Sequence, residues 1–229
     1  MNNQILNGKW IYSLLLIPAI SAILALQGFG FFFKSGTAGA GILILLFLYF
    51  KKLPQAKDIL MVMAAFAFSI VGDWYLSNMH GNANMFVAGI AFFFLAHVGY
   101  LIYALMNGKV KWKFTAILLA GYLVFFFLKL FPTFNDSILM WAALIYLIIS
   151  CFSLGAAVGL DGNWVSKWAY VFGIFLILFS DTIIAYKEFV GFKELNFLIL
   201  PTYYMAHIAV VFSLTHKQLV ESKETTDPK

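Results

Sequence analysis

The sequence predicts an all-α fold: a polytopic membrane helix bundle of eight transmembrane helices. Three observations carry that prediction. The 229-residue chain is 63% hydrophobic and only 11% charged, more apolar than any water-soluble domain of its size needs to be. Its apolar residues fall into eight runs, each near the ~20 residues that cross a bilayer. The lysines at the ends of those runs alternate in density from one boundary to the next, as loops on opposite sides of a membrane do.

In order, the runs are approximately 10–27, 37–50, 58–79, 84–106, 113–131, 137–159, 165–187 and 195–216. The first is long for the apolar part of a secretory signal and reads as a span that is kept. The second is the shortest, and its start can reach back into the Phe29–Phe33 stretch. The third and seventh contain Asp73 and Asp181, and the fourth and eighth contain His97 and His207. The sixth holds the one cysteine, Cys151, which reads as a small core residue. Between the runs stand turn sequences: Lys51-Lys52-Leu53-Pro54, His80-Gly81-Asn82, Asn107-Gly108-Lys109 and Asp161-Gly162-Asn163. Trp10, Trp112, Trp164 and Trp168 lie near run ends, where interfacial anchors belong. Residues 1–216 are therefore expected to form a single membrane domain. The polar tail, 217–229, is expected to be disordered.

All fifteen basic residues are lysines. Without arginine the chain lacks the usual fork for bidentate phosphate recognition. The net charge of +5 is distributed along membrane flanks rather than gathered in a groove, which argues against nucleic acid and leaves membrane lipids as the surroundings. Eleven lysines (9, 51, 52, 57, 109, 111, 113, 167, 217, 223 and 229) fall on one side. Four (34, 129, 187 and 193) fall on the other. The positive-inside rule then places both termini in the cytoplasm, and the expected location is a bacterial inner membrane.

A carboxylate at membrane depth costs roughly 2.5–3.5 kcal/mol on insertion scales and marks a site by default. Here the arrangement occurs twice. Gly72-Asp73 is followed 24 residues later by His97, and Ser180-Asp181 is followed 26 residues later by His207. Each histidine follows an alanine, and an aromatic pair precedes each Ala-His by one residue. This suggests two parallel four-span repeats, 1–108 and 109–216, related by an axis along the membrane normal. Spans one and five, and two and six, show no comparable match. Both aspartates are expected roughly 9 Å below the outer boundary, at ~1.5 Å per residue, with the histidines a turn or two deeper. Helical spacing adds Ser69 and Ser77 to the face of Asp73, Tyr100 to that of His97, and Tyr203 and Tyr204 to that of His207. With Ser180, these are the candidate substrate-binding residues; Asp73, Asp181 and His97 are the candidate catalytic ones. Asn78, His80, Asn82 and Asn84 read as a solvated outer turn, and Glu188 as a surface residue.

Two carboxyls sharing a low-dielectric pocket do not both ionise readily, which leaves an acid beside a carboxylate. That pairing suits acid-catalysed cleavage through an oxocarbenium-like cation. Two other chemistries use the same residues. Intramembrane carboxyls also couple ion or proton transport. Two Asp and two His also form an acceptable zinc set for a metal-dependent lipid hydrolase, although no helix-local ligand pair is present.

At these residues the chain resembles the YhhN family of eight-span membrane proteins. The resemblance rests on Ser69 to Asp73, on Phe86 to Gly89, and on His97-Val98-Gly99-Tyr100. It continues through Phe179-Ser180-Asp181-Thr182, with Ala185 and Phe189, to Thr202 through Ala206. One departure stands out: the position of His207 is commonly glutamine in the family, which argues against a mechanism needing two histidines and against a four-ligand metal site. The resemblance implies a lysoplasmalogenase, a hydrolase that cleaves the vinyl ether bond of a lysophospholipid to a fatty aldehyde and a glycerophospho-headgroup. No cofactor and no metal are expected.

Overall fold

The structure, a computed structural model, describes residues 8–226. Eight helices among them are long and apolar enough to cross a membrane: α1 (Lys9–Leu26), α2 (Phe31–Lys52), α3 (Lys57–Ser77), α4 (Ala83–Met106), α5 (Trp112–Thr133), α6 (Ser137–Ala157), α7 (Trp164–Val190) and α8 (Asn196–Thr226). The chain is thus an integral membrane protein built as a helical bundle. Among the described residues no strand forms; one antiparallel bridge, Gly108 with Leu160, joins two loops. We call the end of the bundle near Lys9 and Lys223 the terminal end, and the other the far end.

α2 begins at Phe31, within the Phe29–Phe33 stretch to which its start could reach back, so Lys34, counted among the flanking lysines, lies inside the helix. One boundary differs from the sequence reading. α8 does not stop at residue 216 but continues to Thr226, so a disordered tail is not what residues 217–226 form; 227–229 lie outside the described residues. The helix persists because its extra turns are packed. Gln218 and Leu219 are buried, and Lys217 Nζ binds Asp58 Oδ2 at 3.2 Å and Asn107 Oδ1 at 2.7 Å.

Several helix pairings recur when the helix number is advanced by four, although α1 packs on α8 with no counterpart of like extent between α5 and α4. α3 lies along α4 as α7 lies along α8, α4 packs on α6 as α8 packs on α2, and α2 meets α3 as α6 meets α7. Both hairpins close on glycine. A Cβ at Gly99 would lie 2.7 Å from the Met61 carbonyl oxygen of α3, and one at Gly173 would lie 2.9 Å from the Ala206 carbonyl oxygen of α8. Small residues matter here because lipid is as apolar as the helices, so association depends on close packing rather than on water exclusion. Buried hydroxyls add ties. Tyr49 donates to the Leu214 carbonyl at 2.9 Å and Tyr170 to the Tyr100 carbonyl at 2.9 Å.

The outer surface is apolar. Ile17, Ile20, Leu43, Ile117 and Phe172 are exposed to what would be lipid. Trp10, Trp112, Trp164 and Trp168 are exposed near the terminal end, and Trp74 and Trp141 near the far end, forming two aromatic belts. At the far end, the side chain of Asn82 caps α4 by accepting from Asn84 N at 2.9 Å, and Asp136 caps α6 by accepting from Ile138 N at 2.8 Å. The outermost turns of α5 and α7, Phe126–Leu130 and Tyr186–Val190, widen into π-helix. Such turns recur at functional sites because they re-aim side chains. The two stand together, with Phe125 against Tyr186 at 5.0 Å between ring centroids.

Candidate functional site

The aspartates are brought to one cavity. Asp73 and Asp181 both line a polar space of about 280 Å³ toward the far end, together with Lys34, Lys187, Glu188, Asn196 and Tyr203. α3 and α7 supply the carboxyls, α2 and α8 the groups around Asp73, and α4 and α6 the groups around Asp181.

Asp73 is almost fully buried. Its Oδ1 lies 3.5 Å from Lys34 Nζ, and its Oδ2 accepts from the Tyr203 hydroxyl at 3.0 Å. Lys34 also donates to Ser77 Oγ at 2.8 Å, which fixes the ammonium between the two. Asp181 is held differently. Its Oδ2 accepts from the Tyr146 hydroxyl at 2.5 Å and lies 3.4 Å from His97 Nε2. The His97 ring stands edge-on to Tyr146 at 5.3 Å. One carboxyl therefore has an ammonium and a phenol for partners, the other a phenol and an imidazole.

The remaining candidates divide. Ser77 touches Lys34, and Tyr203 touches Asp73. Ser69 is buried beside the phenols of Tyr100 and Tyr203. Ser180 reaches the cavity, but its hydroxyl donates to the Ile199 carbonyl at 3.1 Å and ties α7 to α8. Tyr100 and Tyr204 are buried with hydroxyls that find no hydrogen-bond partner among the described residues, and neither lines the cavity. His207 is fully buried behind Tyr203, 4.4 Å between ring centroids, with Thr37 Oγ1 at 3.4 Å from its Nδ1. It buttresses Tyr203 and does not reach a carboxyl as His97 does. Among the described residues no three His, Cys, Asp or Glu side chains converge in a metal-holding cluster.

Glu188 corrects an expectation. It is not a simple surface residue: it lines the polar cavity, with Lys187 Nζ 2.7 Å from its Oε1. The π-helical turn brings both side chains to the mouth. Two partners went unread in the sequence altogether. Lys34 counts there only as a flanking charge, and Tyr146 is one tyrosine within an apolar run. The signal for Tyr146 was its hydroxyl, a group lipid cannot satisfy.

A second, narrow cavity of about 80 Å³ adjoins the first. Its walls are apolar: Ile90, Phe125, Leu130, Leu147, Leu178 and Phe189 among others. The two share Leu76, Phe86, Phe93, Asp181 and Ile184. Asp181 is thus the ionisable residue at the junction of an apolar space and a polar one.

An eight-span bundle with two carboxyls walled into one cavity defines an integral membrane protein with a buried polar centre. The chain belongs to the YhhN family, whose model matches residues 31–214, a range that takes in every site residue from Lys34 to His207. Neither the curated proteins nor the solved structures gave a significant match.

Proposed function

We propose that this protein is a membrane-embedded hydrolase of lysoplasmalogens, cleaving the vinyl ether bond to a fatty aldehyde and a glycerophospho-headgroup. The observation that carries the reading is the junction at Asp181. A single-chain lipid with the first part of its alkenyl tail in the apolar cavity and its headgroup in the polar one has its ether linkage beside that carboxyl. Family membership supports the same reading.

The chemistry follows from the two environments. Asp181 delivers its proton to the alkenyl carbon β to the ether oxygen, and the C=C electron pair forms the new C–H bond. The carbon attached to oxygen becomes an oxocarbenium ion. Asp73, ion-paired with Lys34, supplies fixed negative charge near this cation, which is worth most where water is excluded. Water then adds to the cationic carbon and returns a proton to Asp181. The resulting hemiacetal collapses to aldehyde and a free glycerol hydroxyl. Tyr146 and His97 orient Asp181 and pass protons to it. By lysine distribution, the polar cavity opens toward the extracytoplasmic side, so the headgroup stays in water while the tail stays among helices.

Purified protein in detergent, given alkenyl-lysophosphoethanolamine and separately its acyl analogue, tests this. Aldehyde from the alkenyl lipid, with no fatty acid from the acyl one, is the expected result. No release from either lipid by folded protein would overturn it and turn attention to ion flux in liposomes.

A further inference from the structure

The mouth of the polar cavity carries an arrangement that cleavage alone does not require. Lys187 and Glu188 form an ion pair on its wall, and Lys34 stands on the same wall system across from α7. The side-chain oxygen of Asn196, at the start of α8, is enclosed there without a hydrogen-bond partner among the described residues. The cavity thus offers two ammonium groups and two acceptors, one charged and one neutral, all beside the carboxyl pair.

We propose that this mouth recognises a phosphodiester headgroup bearing a primary ammonium, by exchange with the Lys187–Glu188 ion pair. The phosphate takes Lys187, with Lys34 beside it; the ammonium takes Glu188 and the Asn196 oxygen. Such an exchange conserves charge: one internal ion pair becomes two intermolecular ones. The pair it opens is part-exposed, and pairs of that kind hold weakly. A primary ammonium donates three hydrogen bonds and satisfies both acceptors. A trimethylammonium donates none and is held instead by aromatic faces. The cavity does not set its rings aside for that purpose: Phe86 and Phe93 also wall the apolar cavity, and Tyr203 is bonded to Asp73. The expected preference is therefore ethanolamine over choline. This inference rests on the lysolipid reading of the site, and its test separates the two.

The experiment has two arms. In the first, kcat/KM for aldehyde release is measured with ethanolamine and choline alkenyl lysolipids. Glu188→Gln is expected to lower the ethanolamine-to-choline ratio by about tenfold, the size of a lost charged hydrogen bond. Lys187→Gln should lower both values together and leave the ratio. In the second, the thermal midpoint of wild-type protein is followed with saturated alkyl-ether lysolipids, which bind but have no vinyl bond to cleave. The ethanolamine ether is expected to stabilise more than the choline ether. Aldehyde release with a ratio unmoved by Glu188→Gln, or equal stabilisation by both ethers, overturns the headgroup assignment and leaves the hydrolase reading standing. Selective stabilisation by the ethanolamine ether without aldehyde release does the reverse.

Discussion

At the scale of single residues, the two carboxyls share a cavity but not a chemistry. Asp73 sits against an ammonium, whereas Asp181 meets a phenol and an imidazole at the edge of the apolar space. Asp181→Asn removes the proposed acid and Asp73→Asn the proposed fixed charge. Each should lower aldehyde release by roughly 10²–10⁴-fold while purified variants keep the wild-type elution profile and melting behaviour. Retained full activity in both variants would end the mechanism. Tyr146 acts through Asp181 rather than on the lipid. Tyr146→Phe should therefore lower kcat by roughly fivefold, the loss of one hydrogen bond worth about 1 kcal/mol, and leave KM close to wild type. A comparable rise in KM instead would mean that the phenol holds substrate.

At the scale of helices, the site depends on two hairpins seated by close backbone contact. Gly173 meets the Ala206 carbonyl of α8 with no space for a methyl group. Gly173→Ala must push α7 away from α8, and overpacking of this kind costs about 1–3 kcal/mol. A lower thermal midpoint with loss of activity is expected, since α7 carries Asp181 and α8 carries Tyr203. Gly121 on α5 has nothing within 4 Å of its would-be Cβ. Gly121→Ala should leave activity unchanged and, through helix propensity, hold or raise the midpoint. Equal behaviour of the two variants in thermal melts would sever the link between hairpin packing and the site.

At the scale of the whole molecule, an even number of spans and the lysine bias predict that both ends of the chain face the cytoplasm. A fluorescent-protein fusion at the C-terminus should be bright in cells and a phosphatase fusion there silent. A phosphatase inserted at 191–195, between α7 and α8, should be active. The reverse pattern would place the polar cavity on the cytoplasmic face and require a cytoplasmic lipid supply.

Much of this architecture was open to reading in the chain. Eight apolar runs fix eight helices because a backbone in lipid must satisfy its own hydrogen bonds. Asp73, Asp181 and His97 announced themselves because charge and imidazole are costly in such runs. The recurrence of Asp and Ala-His pointed to a halved design, and it brought both aspartates and both histidines into view together. What the sequence could not supply is partnership across helices. That Asp181 pairs with Tyr146 and His97, that Asp73 pairs with Lys34, and that His207 stands behind Tyr203 depend on how hairpins distant in the chain are rotated against each other. Nor could it show Glu188 turned inward, because a π-helical turn shifts the side chains within it off the regular helical face. Composition and periodicity determine which segments enter the membrane and which residues are too costly to be idle. Only tertiary packing decides which of those residues meet, because side-chain contact between helices is set by rotation and crossing, and a linear pattern carries neither.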